Sequence, residues 1–113
     1  MPKKPGEQRR FPRVPAEKAL LVKKIGDETS ESLAKTRTVG RGGCMFVHHE
    51  TLGAGTRVEL LISLATRVVK AEGRVVWEEV KEPGRVEVGV EFVTISPKDR
   101  RALEKALAEQ VPA

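Results

Sequence analysis

Residues 68–92, VVKAEGRVVWEEVKEPGRVEVGVEF, predict a long β-hairpin. Apolar and polar side chains alternate through residues 86–92, which is the period of a strand with one buried face. Residues 68–80 form the first strand, and the turn follows at 81–85. Gly73 interrupts the first strand, and a glycine inside a strand marks a bulge or a sharp bend. The hairpin therefore predicts a curled antiparallel sheet.

Four more strands are predicted upstream of the hairpin, separated by polar or glycine-rich turns. They span residues 19–25, 33–39, 44–47 and 58–64. Six short strands with one sharp bend favour closure of the sheet into a small barrel. The predicted fold class is therefore mainly β, a six-stranded antiparallel β-barrel followed by one C-terminal α-helix.

The helix is predicted from its start signal and from its apolar spacing. Ser96 is a suitable N-cap, Pro97 occupies the first helical position, and Asp99 completes a pattern like a capping box. Apolar side chains then recur at helical spacing and predict a stripe that packs on the barrel. They are Leu103, Ala106, Leu107 and Val111.

The composition is that of a single globular domain. The chain has 113 residues, of which 39% are hydrophobic and 33% charged, and it contains one cysteine. A single thiol excludes a disulfide framework and favours a reducing compartment. No apolar run approaches the roughly 20 residues that cross a bilayer, and the N-terminus lacks an apolar signal segment. We expect a cytoplasmic protein with a flexible basic tail at residues 1–8 and one domain at residues 9–110.

The positive charge is concentrated in an N-terminal arm, residues 1–13. The formal net charge of the chain is +5, and the arm holds five Lys and Arg residues against Glu7 alone. Four of the five net charges therefore belong to the arm, whose field attracts polyanions, nucleotides or acidic proteins. Pro12 keeps the preceding residue out of the helical region, so the arm is predicted to be extended.

Two segments have the chemistry of one anion site. Arg9, Arg10 and Arg13 in the arm carry guanidinium groups, which stay protonated and can bind a phosphate or a guanine edge through paired hydrogen bonds. The stretch TVGRGG at residues 38–43 is dense in glycine, which lets a ligand approach backbone N–H groups closely. We expect the arm to fold onto this turn and enclose a phosphate.

The order of these features resembles the PilZ domain family. The shared features are an RxxxR arm, a strand pair joined by a glycine-rich turn, the VVW and VGVEF segments of the hairpin, and the capped helix. The resemblance implies a six-stranded bacterial barrel that acts as a receptor for the second messenger cyclic di-GMP. Arg9 and Arg13 fit the first family motif, RxxxR, and Arg10 beside them is also frequent in the family.

The second family motif, D/NxSxxG, is only partly present. Alignment with TVGRGG places Thr38 where the family has an acid or amide, Gly40 where it has serine, and Gly43 on the glycine. Loss of a bidentate base contact costs about 1–3 kcal/mol, and loss of a neutral hydrogen bond about 0.5–1.5 kcal/mol. Together these losses predict an affinity about ten- to two-thousand-fold below that of an intact motif. The residues predicted to bind the ligand are Arg9, Arg10, Arg13, Thr38, Gly40, Gly42 and Gly43.

The resemblance implies a regulatory module and not an enzyme. Cyclic di-GMP is its candidate ligand, neither a cofactor nor a metal is expected, and the signal would pass to an unidentified protein partner without membrane insertion. One alternative is a nucleotide-blind adaptor of the same fold that acts through protein–protein contacts. A second is a basic nucleic-acid-binding domain, which the positive charge favours. An aromatic content of 4% with no tyrosine disfavours that second alternative, since single strands bind by stacking on aromatic side chains.

The remaining reactive and aromatic side chains have structural interpretations. Cys44, His48 and His49 fall short of a four-ligand zinc set, and adjacent histidines on a strand are predicted to point to opposite faces. Cys44 is predicted to be a small buried apolar residue. The acidic clusters at residues 27–31 and 78–82 border turns and are predicted to be solvated. The core is predicted to include Trp77, Phe11, Phe46 and Phe92.

Overall fold

The computed structural model describes residues 13–26, 30–65 and 67–110 of the chain. These residues form seven β-strands followed by one α-helix. The strands are β1 (Arg13–Pro15), β2 (Ala19–Lys24), β3 (Ser32–Gly40), β4 (Gly43–His48), β5 (Arg57–Ser63), β6 (Val68–Glu82) and β7 (Arg85–Ile95), and the helix is α1 (Pro97–Gln110).

The sheet closes into a six-stranded antiparallel barrel, as predicted. Around the barrel the strands follow the order β3-β2-β5-β6-β7-β4, and β4 pairs back onto β3. Each barrel strand therefore has a hydrogen-bonded neighbour on both edges, which removes the exposed edges that promote aggregation. The short β1 pairs with the end of β3, beyond the part that pairs with β2.

The core consists of the inward positions of the alternating strands. On β5, Val58, Leu60 and Ile62 are fully buried, and the residues between them are more exposed. Leu103 of α1 is also fully buried in this cluster and Leu107 packs against it, which confirms this part of the predicted stripe, whereas Val111 lies outside the described residues. Burial of each such side chain contributes about 1.5–3 kcal/mol. Further members of the cluster are Leu20, Val22, Val39, Val75, Val86, Val88 and Val90.

Gly73 lies at a break in the β6–β7 register, where the sequence predicts a bulge. The pairing shifts between Glu72 and Gly73. A Cβ atom at Gly73 would lie 2.9 Å from the backbone oxygen of Glu91 and would overlap a methyl group of Val90. The two strands thus approach each other more closely than a side chain at this position allows. The shift lets the long hairpin curl around the core.

Trp77 lies outside the core, so its predicted position is wrong. A second register shift, between Val75 and Trp77, moves Trp77 to the face opposite Val75. Trp77 pairs with Gly89, whose neighbours Val88 and Val90 are buried in the core. Its indole ring lies over Gly89, where a Cβ atom would otherwise be. The outer face of the barrel therefore carries the only tryptophan of the sequence.

Of the other residues predicted to lie in the core, two are fully buried, one is partly buried and one is not described. Cys44 and Phe46 are fully buried in the core cluster, as predicted, and Phe92 is partly buried against it. Phe11 lies outside the described residues. Cys44 thus packs as a small apolar side chain.

Glu78 is half-buried and hydrogen-bonded to the protein, whereas its acidic cluster is predicted to be solvated. Its two carboxylate oxygens accept hydrogen bonds from the backbone N–H groups of Leu52 (2.6 Å) and Gly53 (2.9 Å). Leu52 is buried in the core cluster. Glu78 therefore fixes the loop between β4 and β5 against β6 through charge-assisted hydrogen bonds.

A buried threonine completes the pairing between β1 and β2. Both strands pair with the same edge of β3, and residues 16–18 separate them. Thr36 is fully buried opposite this junction. Its hydroxyl donates to the backbone oxygen of Ala16 (2.6 Å) and accepts from the backbone N–H of Lys18 (2.8 Å). The hydroxyl thus satisfies two backbone groups where the regular ladder is interrupted.

Two side chains fix the start of α1. The Ser96 hydroxyl accepts a hydrogen bond from the backbone N–H of Asp99 (3.1 Å), which confirms the predicted N-cap. The Asp99 carboxylate accepts from the backbone N–H of Lys70 (3.2 Å) and pairs with Arg67 (2.8 Å). The helix has 14 residues. Within the described ranges of the chain, no helix has the length and apolar character needed to cross a membrane.

We predict that Gly89→Ala lowers the free energy of unfolding by about 1–3 kcal/mol, because the new methyl group overlaps the indole of Trp77 and displaces it. Denaturation followed by circular dichroism measures the stability, and tryptophan emission reports the displacement. In a Trp77→Ala background the same substitution should cost much less, since the overlap is gone. Equal costs in the two backgrounds would contradict the packing of Trp77 over Gly89.

We predict that Thr36→Val lowers the free energy of unfolding by about 1–3 kcal/mol, because it keeps the side-chain shape but leaves the Ala16 oxygen and the Lys18 N–H without their partner. Urea denaturation measures the effect. Thr94→Val on β7 is the matched control, since Thr94 is exposed, and it should change stability by less than about 0.5 kcal/mol. If both variants are equally stable, the Thr36 hydroxyl does not hold the junction.

Candidate anion-binding site

The C-terminal end of the arm lies beside the glycine-rich turn. β1 pairs antiparallel with β3, and the register places Arg13 opposite Gly40. Paired Cα atoms of antiparallel strands are about 4.5–5.5 Å apart. Arg13 and Gly40, two of the residues predicted to bind the ligand, are thus cross-strand neighbours in the backbone. Arg9 and Arg10 lie outside the described residues.

The connection between β3 and β4 is shorter than the glycine-rich sequence suggests. Gly40 ends β3 and Gly43 begins β4, so Arg41 and Gly42 form the connection. Gly40 and Gly43 are buried. The backbone oxygen of Gly42 accepts a hydrogen bond from the N–H of Phe92 (2.8 Å). The turn is thus held by β1 on one side and by the end of β7 on the other.

A bulge in β3 determines where Thr38 lies. The β3–β4 register shifts between Thr36 and Thr38, and Thr36 and Val39 are both buried. Residues three apart in a regular strand point to opposite faces, so the extra residue reverses the pattern. Thr38 is half-buried and pairs with Met45 on the face opposite Val39. The bulge therefore directs the Thr38 side chain away from the core.

The turn also contacts α1, and no sequence pattern predicts this contact. The Arg41 guanidinium forms an ion pair with the Glu104 carboxylate, and the Arg100 guanidinium donates to the backbone oxygen of Arg41 (3.4 Å). Arg100 and Glu104 are one helical turn apart, so both lie on the face of α1 that meets the turn. The side chains of Arg41 and Glu104 are 50% and 33% exposed, so the pair is open to solvent. The spacing of Arg100 and Glu104 is visible in the sequence, but no local pattern connects it to Arg41.

Basic residues of three segments adjoin this turn, one of them through backbone pairing alone. Arg13 belongs to β1, Arg41 to the connection and Arg100 to α1, and Glu104 supplies a negative charge. Guanidinium groups bind carboxylates and phosphates through paired N–H donors. The guanidinium of Arg41 thus has the chemistry to bind an anion, and in this structure it holds a carboxylate of the protein itself.

Cys44, His48 and His49 do not form one site. His48 is buried, and its Nδ1 lies 2.8 Å from the backbone oxygen of Glu50 and its Nε2 lies 2.7 Å from the Ser32 hydroxyl. A carbonyl only accepts, so Nδ1 donates to the Glu50 oxygen, and both ring nitrogens have partners within the protein. The prediction that the two histidines point apart is wrong, because β4 ends at His48 and the ring centroids are 4.3 Å apart. Within the part of the chain that the structure describes, no three His, Cys, Asp or Glu side chains are grouped to hold a metal ion.

A separate cleft of about 330 Å³ lies between β5, β6 and the start of α1. Charged side chains in its lining are ion-paired within the protein, Glu59 with Lys70 (3.5 Å) and Asp99 with Arg67 (2.8 Å). Ser96 and Asp99 at the start of α1 belong to its lining, which shares no residue with the predicted anion site. The arm and the turn remain the site with the clearest ligand chemistry.

Comparisons with known proteins agree with this fold. The sequence matches the family model of the PilZ domain over residues 7–109, and a search of curated proteins finds no significant match. Three similar solved structures are Bacillus subtilis MotI (DgrA), an inhibitor of motility, the PilZ domain of Escherichia coli YcgR with c-di-GMP, and the K. pneumonia MrkH–c-di-GMP complex. Their TM-scores are 0.74, 0.72 and 0.71, at 16%, 15% and 15% identity over 91%, 90% and 90% of this chain.

This chain aligns with different fractions of the three solved chains. This chain spans 50% of MotI and 52% of MrkH, but 90% of the YcgR domain. At these identities the structural similarity shows the fold, whereas the family match rests on the sequence of nearly the whole chain. The barrel, the turn and the capped helix are consistent with that match. The chain therefore belongs to the PilZ domain family.

Proposed function

We propose that this PilZ domain is a regulatory module that binds cyclic di-GMP between its N-terminal arm and the β3–β4 turn, and that it signals to a partner protein. The observation that carries the proposal is the β1–β3 register, which brings Arg13 opposite Gly40. The end of the arm and the glycine-rich turn are separated in the sequence, and this register makes them neighbours. A phosphate bound by both segments requires that proximity. The similar structures of the YcgR domain and of MrkH were solved with c-di-GMP, which supports the same ligand class.

In this mechanism the arm and the turn make different contacts. The arm arginines donate paired N–H groups to the ligand phosphates or to a guanine edge. The glycines of the turn allow close approach to backbone N–H groups. Thr38, directed away from the core by the β3 bulge, offers one hydroxyl. Fixing the arm over the ligand costs conformational entropy, which reduces the net affinity, and it changes the surface beside β1 that a partner would contact.

A nucleotide-blind adaptor of the same fold is the second candidate function. Thr38 and Gly40 lack the acid or amide and the serine of the family motif, which favours weak nucleotide binding. Three leucines also form a row across the outer face of the sheet, since Leu21 pairs with Leu33 on one side and with Leu61 on the other. Leu33 is 79% exposed. Exposed apolar groups of this kind are typical of protein contact surfaces. The adaptor would use this row and would not need the arm arginines.

We predict saturable binding of cyclic di-GMP to the purified chain in a calorimetric titration at moderate salt. Arg9→Ala and Arg13→Ala should each weaken binding by about ten- to one-hundred-fold, the usual effect of losing a charge-assisted hydrogen bond to an anion. Arg85→Ala is the matched control, because it removes the same charge. On β7, Glu91 pairs with Gly43 of the turn, and Arg85 is six residues away along the same strand. Arg85 therefore lies about 20 Å from the turn.

Two outcomes would contradict the proposal. A flat isotherm at tens of micromolar protein, confirmed by a second method, would favour the adaptor. Equal affinities for the wild type, Arg9→Ala, Arg13→Ala and Arg85→Ala would show that the nucleotide binds away from the arm.

We also predict that Thr38→Asn tightens binding of cyclic di-GMP by about five- to one-hundred-fold, because it restores an amide that can read the guanine edge. The bulge that turns Thr38 outward leaves the new side chain free of the core. The matched control is Thr94→Asn, an exposed threonine on β7, and it should not change the affinity. If Thr38→Asn folds normally but binds no more tightly than wild type, Thr38 does not contact the base.

A further inference from the structure

We propose that Arg41 is an additional ligand-binding residue of this site, and that Glu104 of α1 competes with the ligand phosphate for the Arg41 guanidinium. The inference rests on the proposed function, because it assigns a contact and a form of regulation to the same anion site. Arg41 stands outside the RxxxR arm, and its neighbours on both sides are residues predicted to bind the ligand.

The backbone of Arg41 is fixed from three directions. Gly40 before it pairs with Arg13 of β1, and the oxygen of Gly42 after it accepts from the N–H of Phe92. Its own backbone oxygen accepts from Arg100 of α1 (3.4 Å). The guanidinium, in contrast, is at the end of a long side chain that is 50% exposed. The side chain can therefore change partner while the turn stays in place.

The present partner of that guanidinium has the chemistry of a ligand. Carboxylate and phosphate oxygens accept the same paired N–H groups of arginine. The Glu104 carboxylate thus stands where a phosphate oxygen would be if the ligand bound across the turn. Because both side chains are partly exposed, their ion pair is weak, and its competition should lower the binding constant of the ligand only about two- to five-fold. Glu104 is therefore a weak competitor that raises the ligand concentration needed for half-saturation.

The exchange would also alter the surface of α1 without releasing the helix. Leu103, next to Glu104, is fully buried in the core cluster, and Asp99 at the start of α1 is tied to Lys70 and Arg67. These contacts do not involve Arg41. Ligand binding would therefore free the Glu104 carboxylate on a helix that stays docked. The helix face beside the turn would then differ between the free and the bound protein.

The test is a titration of cyclic di-GMP into four variants and the wild type. Glu104→Gln should bind about two- to five-fold more tightly, and Arg41→Gln about ten- to one-hundred-fold more weakly. In the Arg41→Gln background, Glu104→Gln should have no further effect, because the competition is gone. Glu82→Gln is the matched control, since it removes one carboxylate from another exposed arginine pair at the β6–β7 turn, and it should match the wild type.

A second measurement follows the Arg41 Nε–H signal by NMR, assigned through its loss in Arg41→Gln. Glu104→Gln should shift this signal in the free protein, and cyclic di-GMP should shift it in the wild type. The outcomes separate the two proposals. Binding by the wild type with equal affinities for Glu104→Gln and Glu82→Gln, or with an unmoved Arg41 signal, overturns the competition and leaves the proposed function standing. Absence of binding in every variant overturns both, whereas binding by Glu104→Gln alone supports the competition.

Discussion

The pairing of β3 along both of its edges is the constraint on which the fold and the candidate site depend. On one edge β4 closes the barrel, and on the other edge β2 and then β1 pair with successive parts of the same strand. One strand therefore closes the core, receives the end of the arm and leads into the turn. The junction between β1 and β2 interrupts the ladder on that edge, and the Thr36 hydroxyl fills the interruption from inside the barrel. The position of Arg13 beside the turn thus follows from the closure of the barrel.

Bulges decide which side chains the barrel presents on its outside. In β3 the shift between Thr36 and Thr38 turns Thr38 outward while Thr36 and Val39 stay buried. In β6 the shift between Val75 and Trp77 has the same effect on the indole. Each shift inserts one residue and so reverses the alternation of every position that follows, until the next shift. The outward positions of Thr38 and Trp77 are therefore set by irregularities of the ladder and not by the regular strand pattern.

The sequence predicts the regular part of this structure because regular strands and helices carry local signals. Alternation of apolar residues places the six barrel strands, and the Ser96 cap places the start of α1. The prediction for Trp77 is wrong because the alternation is continued past the bulge between Val75 and Trp77, which contains no glycine. The register shift at Glu72 is marked in the sequence by Gly73. The strand β1 has three residues, one of them proline, which is too little for a periodic signal.

Contacts between distant segments account for the rest of what the sequence does not predict. The Glu78 bonds to the β4–β5 loop, the Thr36 bonds to the β1–β2 junction and the Arg41–Glu104 pair each join segments whose proximity is set by the barrel. The sequence predicts the residue types of the proposed anion site, and the resemblance to the family implies its candidate ligand. Only the β1–β3 register shows that Arg13 and Gly40 are neighbours.

Affinity and base selectivity are separable in a site built this way. Arginine contacts to phosphate depend on charge and carry no information about the base, whereas a side chain on the guanine edge distinguishes one base from another. This chain keeps the arginines of the family motif and places another, Arg41, in the turn itself, but it has Thr38 and Gly40 at the two polar motif positions. In the proposed site the retained groups would contribute to affinity for the phosphates, and the altered groups would lower the penalty for a different base. The carboxylate of Glu104, which pairs with Arg41 from the helix and lies in neither motif, would oppose only the phosphate contribution.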